Sequence, residues 1–88
     1  MVPKFANVVI AKHPNWKGLF VFKVSSGIKL EVGEWILCDT ARGPGQIAQC
    51  VTPSFEVGEW QLESLWGMTI KDLKPVTAYM KPVAIVID

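Results

Sequence analysis

The chain has 88 residues, half of them apolar and 19% charged, with a formal net charge of +1. That balance excludes intrinsic disorder and allows one domain with one modest core. It also lacks the strongly basic character of a dedicated nucleic-acid binder.

Phe5–Lys12 is rich in β-branched residues and reads as a strand. His13-Pro14-Asn15-Trp16-Lys17-Gly18 has the Pro-Asn pair and closing Gly of a hairpin loop. Leu19–Val24 returns as a strand, with Phe20, Phe22 and Val24 on one face. Ser25-Ser26-Gly27 breaks it, and Ile28–Gly33 alternates up to a glycine. Trp35–Thr40 is a strand of large apolar residues, and Ala41–Gly45 is a turn in which Gly-Pro-Gly ends the ladder. Gln46–Thr52 is the returning strand, stopped by Pro53.

The pentapeptide Glu-Val-Gly-Glu-Trp occurs at residues 31–35 and again at residues 56–60, each time with Leu two positions beyond the Trp. Their surroundings differ, so one turn-to-strand device used twice accounts for the echo better than a duplicated site. On that reading Trp60–Trp66 is another strand. Thr69 three residues before Asp72 is a capping signal, and Pro75 limits the helix there to one turn. Val76–Met80 and Val83–Ile87 are the last strand candidates.

Five to six short strands with one short helical turn before the C-terminal strands predict an all-β fold, a small closed barrel without exposed sheet edges, as a single domain over residues 1–88. Gly33-Glu34-Trp35-Ile36-Leu37-Cys38, then Thr40, then Arg42-Gly43-Pro44-Gly45-Gln46-Ile47 resembles the glycine-bounded hairpin of SH3-like barrels. The likeness is closest to small uncharacterised barrel proteins of Gram-positive bacteria and their prophages, with a looser likeness to the KOW element of ribosomal and transcription proteins. It implies an SH3-like barrel and a binding role. Two departures stand out: Trp35 and Leu37 occupy positions that such barrels usually leave polar, and Pro53–Met68 exceeds the usual connection. The expected core is Ile36 and Cys38 with Ile47, completed by Phe20, Phe22, Val24, Val8 and Ile10. Whether Gln49 or Cys50 faces inward depends on a bulge.

Catalytic and metal chemistry find little support, so no enzyme activity, metal or organic cofactor is expected. His13 is the sole histidine and reads as a solvated loop residue. Cys38 and Cys50 are too few for a disulfide framework or, with one distant His, for a zinc site. With the turn as hinge, Cys38 faces about Ala48 and Cys50 about Ile36, which offsets the thiols. Arg42-Gly43-Pro44-Gly45 feeds a strand where a phosphate loop feeds a helix. No apolar run reaches membrane-spanning length, and the first residues lack a signal peptide's apolar stretch, so a soluble cytoplasmic protein is expected.

Two interaction readings remain. The first is a protein–protein or self-association adaptor using Trp35, Leu37, Trp60, Trp66 and Trp16. The alternative is weak nucleic-acid binding, with Trp16 stacking on a base and Lys12, Lys17, Lys23 and Arg42 holding phosphates. Charge is unevenly placed: residues 1–30 carry five Lys and no acid, whereas residues 31–70 carry Glu31, Glu34, Asp39, Glu56, Glu59 and Glu63 against Arg42 alone. If Ile36 and Cys38 point inward, Trp35 and Leu37 point outward and need a cover. Either the Pro53–Met68 segment folds over them as a lid, or a partner or second copy covers them.

Overall fold

The computed structural model describes residues 4–80, with the side chain of Met80 excepted. Six strands, one α-helix and one 3-10 turn follow in the order β1 (Phe5–Lys12), β2 (Phe20–Lys23), β3 (Trp35–Thr40), β4 (Gly43–Cys50), β5 (Phe55–Gly58), α1 (Glu59–Trp66), the turn Ile70–Asp72 and β6 (Lys74–Met80). The strand order is β2-β6-β3-β4-β1-β5, and a β1–β2 pairing closes five strands into a barrel. The fold is a small SH3-like barrel. The predicted strand at Val83–Ile87 lies outside the described residues.

β1 organises the closure because its two halves have different partners along one edge. Ala11 and Lys12 pair with β4, Phe5–Val8 pair with β5, and Val8–Ala11 pair with β2 on the other edge. β5 is therefore an extra strand outside the closed ring. β2 meets β6 in parallel, and every other pairing is antiparallel.

This closure leaves β1 and β2 covered on both faces. Inside the barrel, Val9, Ala11, Phe22, Val24, Ile36, Cys38, Ala48 and Cys50 form one core, plugged by Leu30 from the loop before β3. Outside it, Ala6, Val8, Val21 and Val57 form a second core beneath Leu62 of α1 and Leu73. Strand alternation sends odd residues of β1 inward and even ones outward. The expectation that Val8 and Ile10 belong to the barrel interior is thus corrected: Val8 is buried in the outer core, and Ile10 is half-buried. A continuous apolar run such as Val8-Val9-Ile10-Ala11 fits two-sided burial, and it hides the phase.

Ile36 and Cys38 point inward as expected, and so do Phe22 and Val24. Ile47 does not; it is 44% exposed. The turn between β3 and β4 is tight, Ala41-Arg42, so Ile36 faces Ala48 and Cys38 faces Gln46. Ile47 then lies opposite Leu37 on the outer face, and Ala48 and Cys50 take the interior. Gln49 turns outward, and its amide donates to the Gly33 carbonyl (3.1 Å). Gly-Pro-Gly does not end the ladder. Pro44 and Gly45 fall in a register shift between the paired residues Gly43 and Gln46, where Pro44's missing N–H costs no ladder bond. Phe20 sits at the barrel mouth, 37% exposed, rather than in the core.

The predicted strand over Trp60–Trp66 is an α-helix, so the chain holds more helix than the single short turn expected. Gly58 precedes it with extended backbone, and the Gln61 side chain reaches back to accept from the Gly58 N–H (2.8 Å). Gly67 ends it in the left-handed region at φ 65°. The connecting segment does act as a lid, but over β1, β2 and β5 through Leu62, and not over Trp35 and Leu37. Trp35 stays 37% exposed on the outer face of β3. The later capping signal holds: Asp72 accepts from the Thr69 N–H (3.0 Å) and hydroxyl (3.1 Å) around the 3-10 turn.

Candidate functional site

Three segments meet at one end of the barrel: the β1–β2 loop, the β3–β4 turn, and the stretch from Trp66 to Lys74. Between them is a cleft of about 400 Å³. Its walls carry Trp16, Leu19, Phe20, Phe22, Trp66 and Met68, with His13 among them; Arg42, Lys74 and Asp72 supply the charge. Pockets of roughly this size, mostly apolar with a few placed polar groups, are the common form of a binding site.

The aromatic wall is packed around His13. Its ring centroid lies 4.2 Å from Trp16, 5.4 Å from Phe20 and 5.7 Å from Phe22, the last edge-on. Trp16 and Phe20 meet edge-on at 5.8 Å. Far from being a solvated loop residue, His13 is 4% exposed. The loop closes because Trp16 N donates to the His13 carbonyl (3.3 Å) and the imidazole packs under the following aromatics. His13 Nδ1 lies 2.7 Å from the Ile47 carbonyl oxygen, and a carbonyl can only accept, so Nδ1 carries the proton. Nε2 is buried and has no partner among the described residues.

Arg42 comes to the same place from the β3–β4 turn, its guanidinium carbon 4.3 Å from the Trp16 ring centroid. A cation over an indole face at this distance is attracted by about 0.5–1 kcal/mol at an exposed site. Its loop is held by the Arg42 N–H donating to Thr40 Oγ1 (3.1 Å). Asp72 provides the negative charge of the cleft; the backbone N–H of Thr69, and then its hydroxyl, hold the carboxyl below the usual carboxylate range.

The barrel interior holds a different set of polar groups. Both cysteines are buried with free thiols. Burial, then the charges of Asp39 and Cys50, raises the Cys38 thiol to about 11; burial, then Glu34, raises Cys50 to about 11. Cys38 faces Gln46, and Cys50 lies beyond Ala48, so the thiols are offset further than the sequence suggests. Glu34, 4% exposed, accepts from the Glu31 N–H (3.2 Å) through Oε1, while Oε2 has no partner among the described residues. It stands at the far end of β3 from the cleft. No group of three or more metal-binding side chains gathers among the described residues.

Of the residues singled out in the sequence, Trp16, Trp66 and Arg42 converge on the cleft. Trp35 and Leu37 lie elsewhere, on the outer face of β3 beside Ile47. Trp60 stands out from α1 at 67% exposure. Lys17 is in the β1–β2 loop, whereas Lys12 and Lys23 end strands β1 and β2. Pairing of Ala11 with Phe20 and of Val8 with Lys23 puts Lys12 and Lys23 toward opposite ends of the hairpin, roughly 13 Å apart at the usual strand rise. His13, Phe20 and Lys74 are cleft residues that sequence reasoning missed. The recurrence of aromatic rings at positions 13, 16, 20 and 22 around one loop was their signal.

Compared with family models, with curated proteins and with solved structures, the chain matches none of them. Its own coordinates define the class: an SH3-like barrel with an aromatic cleft at one end. No helix among the described residues is long and apolar enough to cross a membrane.

Proposed function

We propose that the chain is a non-enzymatic binding module that takes an apolar or aromatic side chain of a protein partner into the end cleft. The observation that carries this reading is the wall of Trp16, Phe20, Phe22 and Trp66, with Arg42, Lys74 and Asp72 beside it. Such a wall supplies apolar contact, and the few charged groups supply orientation. Two further features favour binding over catalysis. His13 is oriented by a backbone carbonyl rather than a carboxylate, and both thiols are held protonated at neutral pH. The likeness to SH3-like barrels of Gram-positive bacteria and prophages belongs to the same proposal, as does a cytoplasmic setting.

The nucleic-acid reading keeps one favourable observation, the closeness of Arg42 to Trp16. Against it, Lys12 and Lys23 do not align with Trp16 into a phosphate track.

Selection of displayed random peptides tests the proposal. Sequences enriched on the protein should centre on one aromatic or large aliphatic residue. Phe20→Ser and Arg42→Ala, both at the rim, should weaken them by about tenfold or more, or ~1.4 kcal/mol. Equal binding by these variants would overturn the cleft as the site. Salt-sensitive shifts of the Trp16, Lys17 and Arg42 amides on adding a short single-stranded oligonucleotide would favour the second reading.

A further inference from the structure

The helix that borders the cleft is poorly covered on its own account. Of its eight residues only Leu62 is buried, while Trp60 and Leu65 are each 67% exposed and Trp66 is 37% exposed. Trp60 lies next to Glu59 and one helical turn from Glu63, with Glu56 just before the helix. An exposed indole with Glu59 and Glu63 on the same helix is complementary to what the cleft offers. The cleft has an aromatic wall and two cations, Arg42 and Lys74, against the single carboxylate of Asp72.

We infer that a second copy of this chain fills the cleft, by reciprocal insertion of Trp60. The indole packs against Trp16 and Phe20 at the cleft, and Glu59 and Glu63 face Arg42 and Lys74. The inference rests on the reading of the cleft as a binding site and names its occupant. α1 supplies Trp66 to its own cleft and, about 9 Å along and about 120° around the same helix, Trp60 to the other copy. In a two-fold interface each such contact occurs twice. Opposite charges then meet across the interface, Glu59 and Glu63 of one copy against Arg42 and Lys74 of the other.

Light scattering across a concentration series at low and high salt tests this. The wild-type mass should rise from one chain toward two, at lower concentration when salt is low. Trp60→Ala, the pair Arg42→Glu with Lys74→Glu, and the pair Glu59→Lys with Glu63→Lys should each weaken association by about tenfold or more. An equimolar mixture of the two charge-reversed proteins should restore a mixed dimer. Trp60 is exposed, so its variant should keep the native amide fingerprint and decides the matter if a charge-reversed pair fails to fold. A mass of one chain at concentrations on the order of 1 mM overturns the inference. So does association that Trp60→Ala leaves unchanged. Peptide capture in the cleft by a strictly monomeric chain would leave the binding-module reading standing while removing this one.

Discussion

The two copies of Glu-Val-Gly-Glu-Trp fold differently. In the first, Gly33 sits in a turn at φ 90°, Glu34 is buried, and Trp35 opens strand β3. In the second, Val57 and Gly58 finish strand β5, Gly58 has ordinary extended backbone at φ −79°, and Glu59 and Trp60 begin a helix. Five identical residues therefore leave the outcome open, and the neighbours decide it. After Trp35 come Ile36, Leu37 and Cys38, a β-branched start with alternation that can bury one face of a strand. After Trp60 comes Gln61, which forms helix readily and whose amide oxygen receives the Gly58 N–H. The fourth residue past each Trp reinforces this. It is Asp39 in the first copy, at the register shift of β3, and Ser64 in the second, one turn on along the helix.

The Leu two places beyond each Trp offers the sharpest way to break the comparison. Leu62 is fully buried between helix and barrel, whereas Leu37 is half-buried on the outer face of β3. Leu62→Ala should cost about 2–5 kcal/mol, as should Ile36→Ala in the barrel core. Leu37→Ala should cost roughly 1 kcal/mol, in proportion to the apolar area it loses. Urea denaturation of the three variants measures this. Equal losses at Leu37 and Leu62 would mean that the second copy does not make the helix described.

The glycines give a smaller contrast. At Gly33 an added Cβ would meet nothing within 4 Å, so the cost of Gly33→Ala is backbone strain alone, about 1–2 kcal/mol in the left-handed region. At Gly58 the backbone suits any residue, and the new Cβ would approach the Trp60 ring at 3.0–3.1 Å. That ring is exposed and can move aside, so Gly58→Ala should stay within about 0.5 kcal/mol of wild type. A reversed order in denaturation midpoints would contradict the turn assigned to Gly33.

These contrasts explain what was legible in the sequence. The barrel, the extent of β3, the inward Ile36 and Cys38, and the capped turn at Thr69 follow from short-range patterns of alternation and capping. The phase of β1 did not, because Val8 and Val9 are both buried, one in each core. Ile47 was misplaced because the direction of a strand after a bulge depends on one residue of register. The helix was missed because an identical pentapeptide suggested a repeat, while Gln61 carried the opposite instruction. At the cleft, Trp16, Trp66 and Arg42 were visible as residue types, but their meeting depends on barrel closure. The burial of His13 depends on a carbonyl 34 positions away, which no local pattern reports.

The finest test uses the fourth residue of the pentapeptide. Glu34 is buried beside the barrel interior and is the second cause, after burial, of the raised Cys50 thiol; Glu59 is half-buried and plays no such part. Both Cys38 and Cys50 titrate near 11 in the fold against an ordinary value of 9.0. An unfolded chain would ionise them first, so the stability linked to the protonated thiols is complete below pH 9. It is lost progressively as the pH rises through about 11. Urea midpoints should fall across that window, and the fall should shrink when both cysteines are replaced by Ala. Thiolate absorbance then separates the two pentapeptides. Glu34→Gln keeps an oxygen for the Glu31 N–H but removes the charge, so one thiol should titrate slightly lower, with burial still holding it above 9.0. Glu59→Gln should move neither. Native thiols that both titrate at the ordinary value, or that respond alike to the two substitutions, would show that the first copy does not bury its carboxylate against the barrel core.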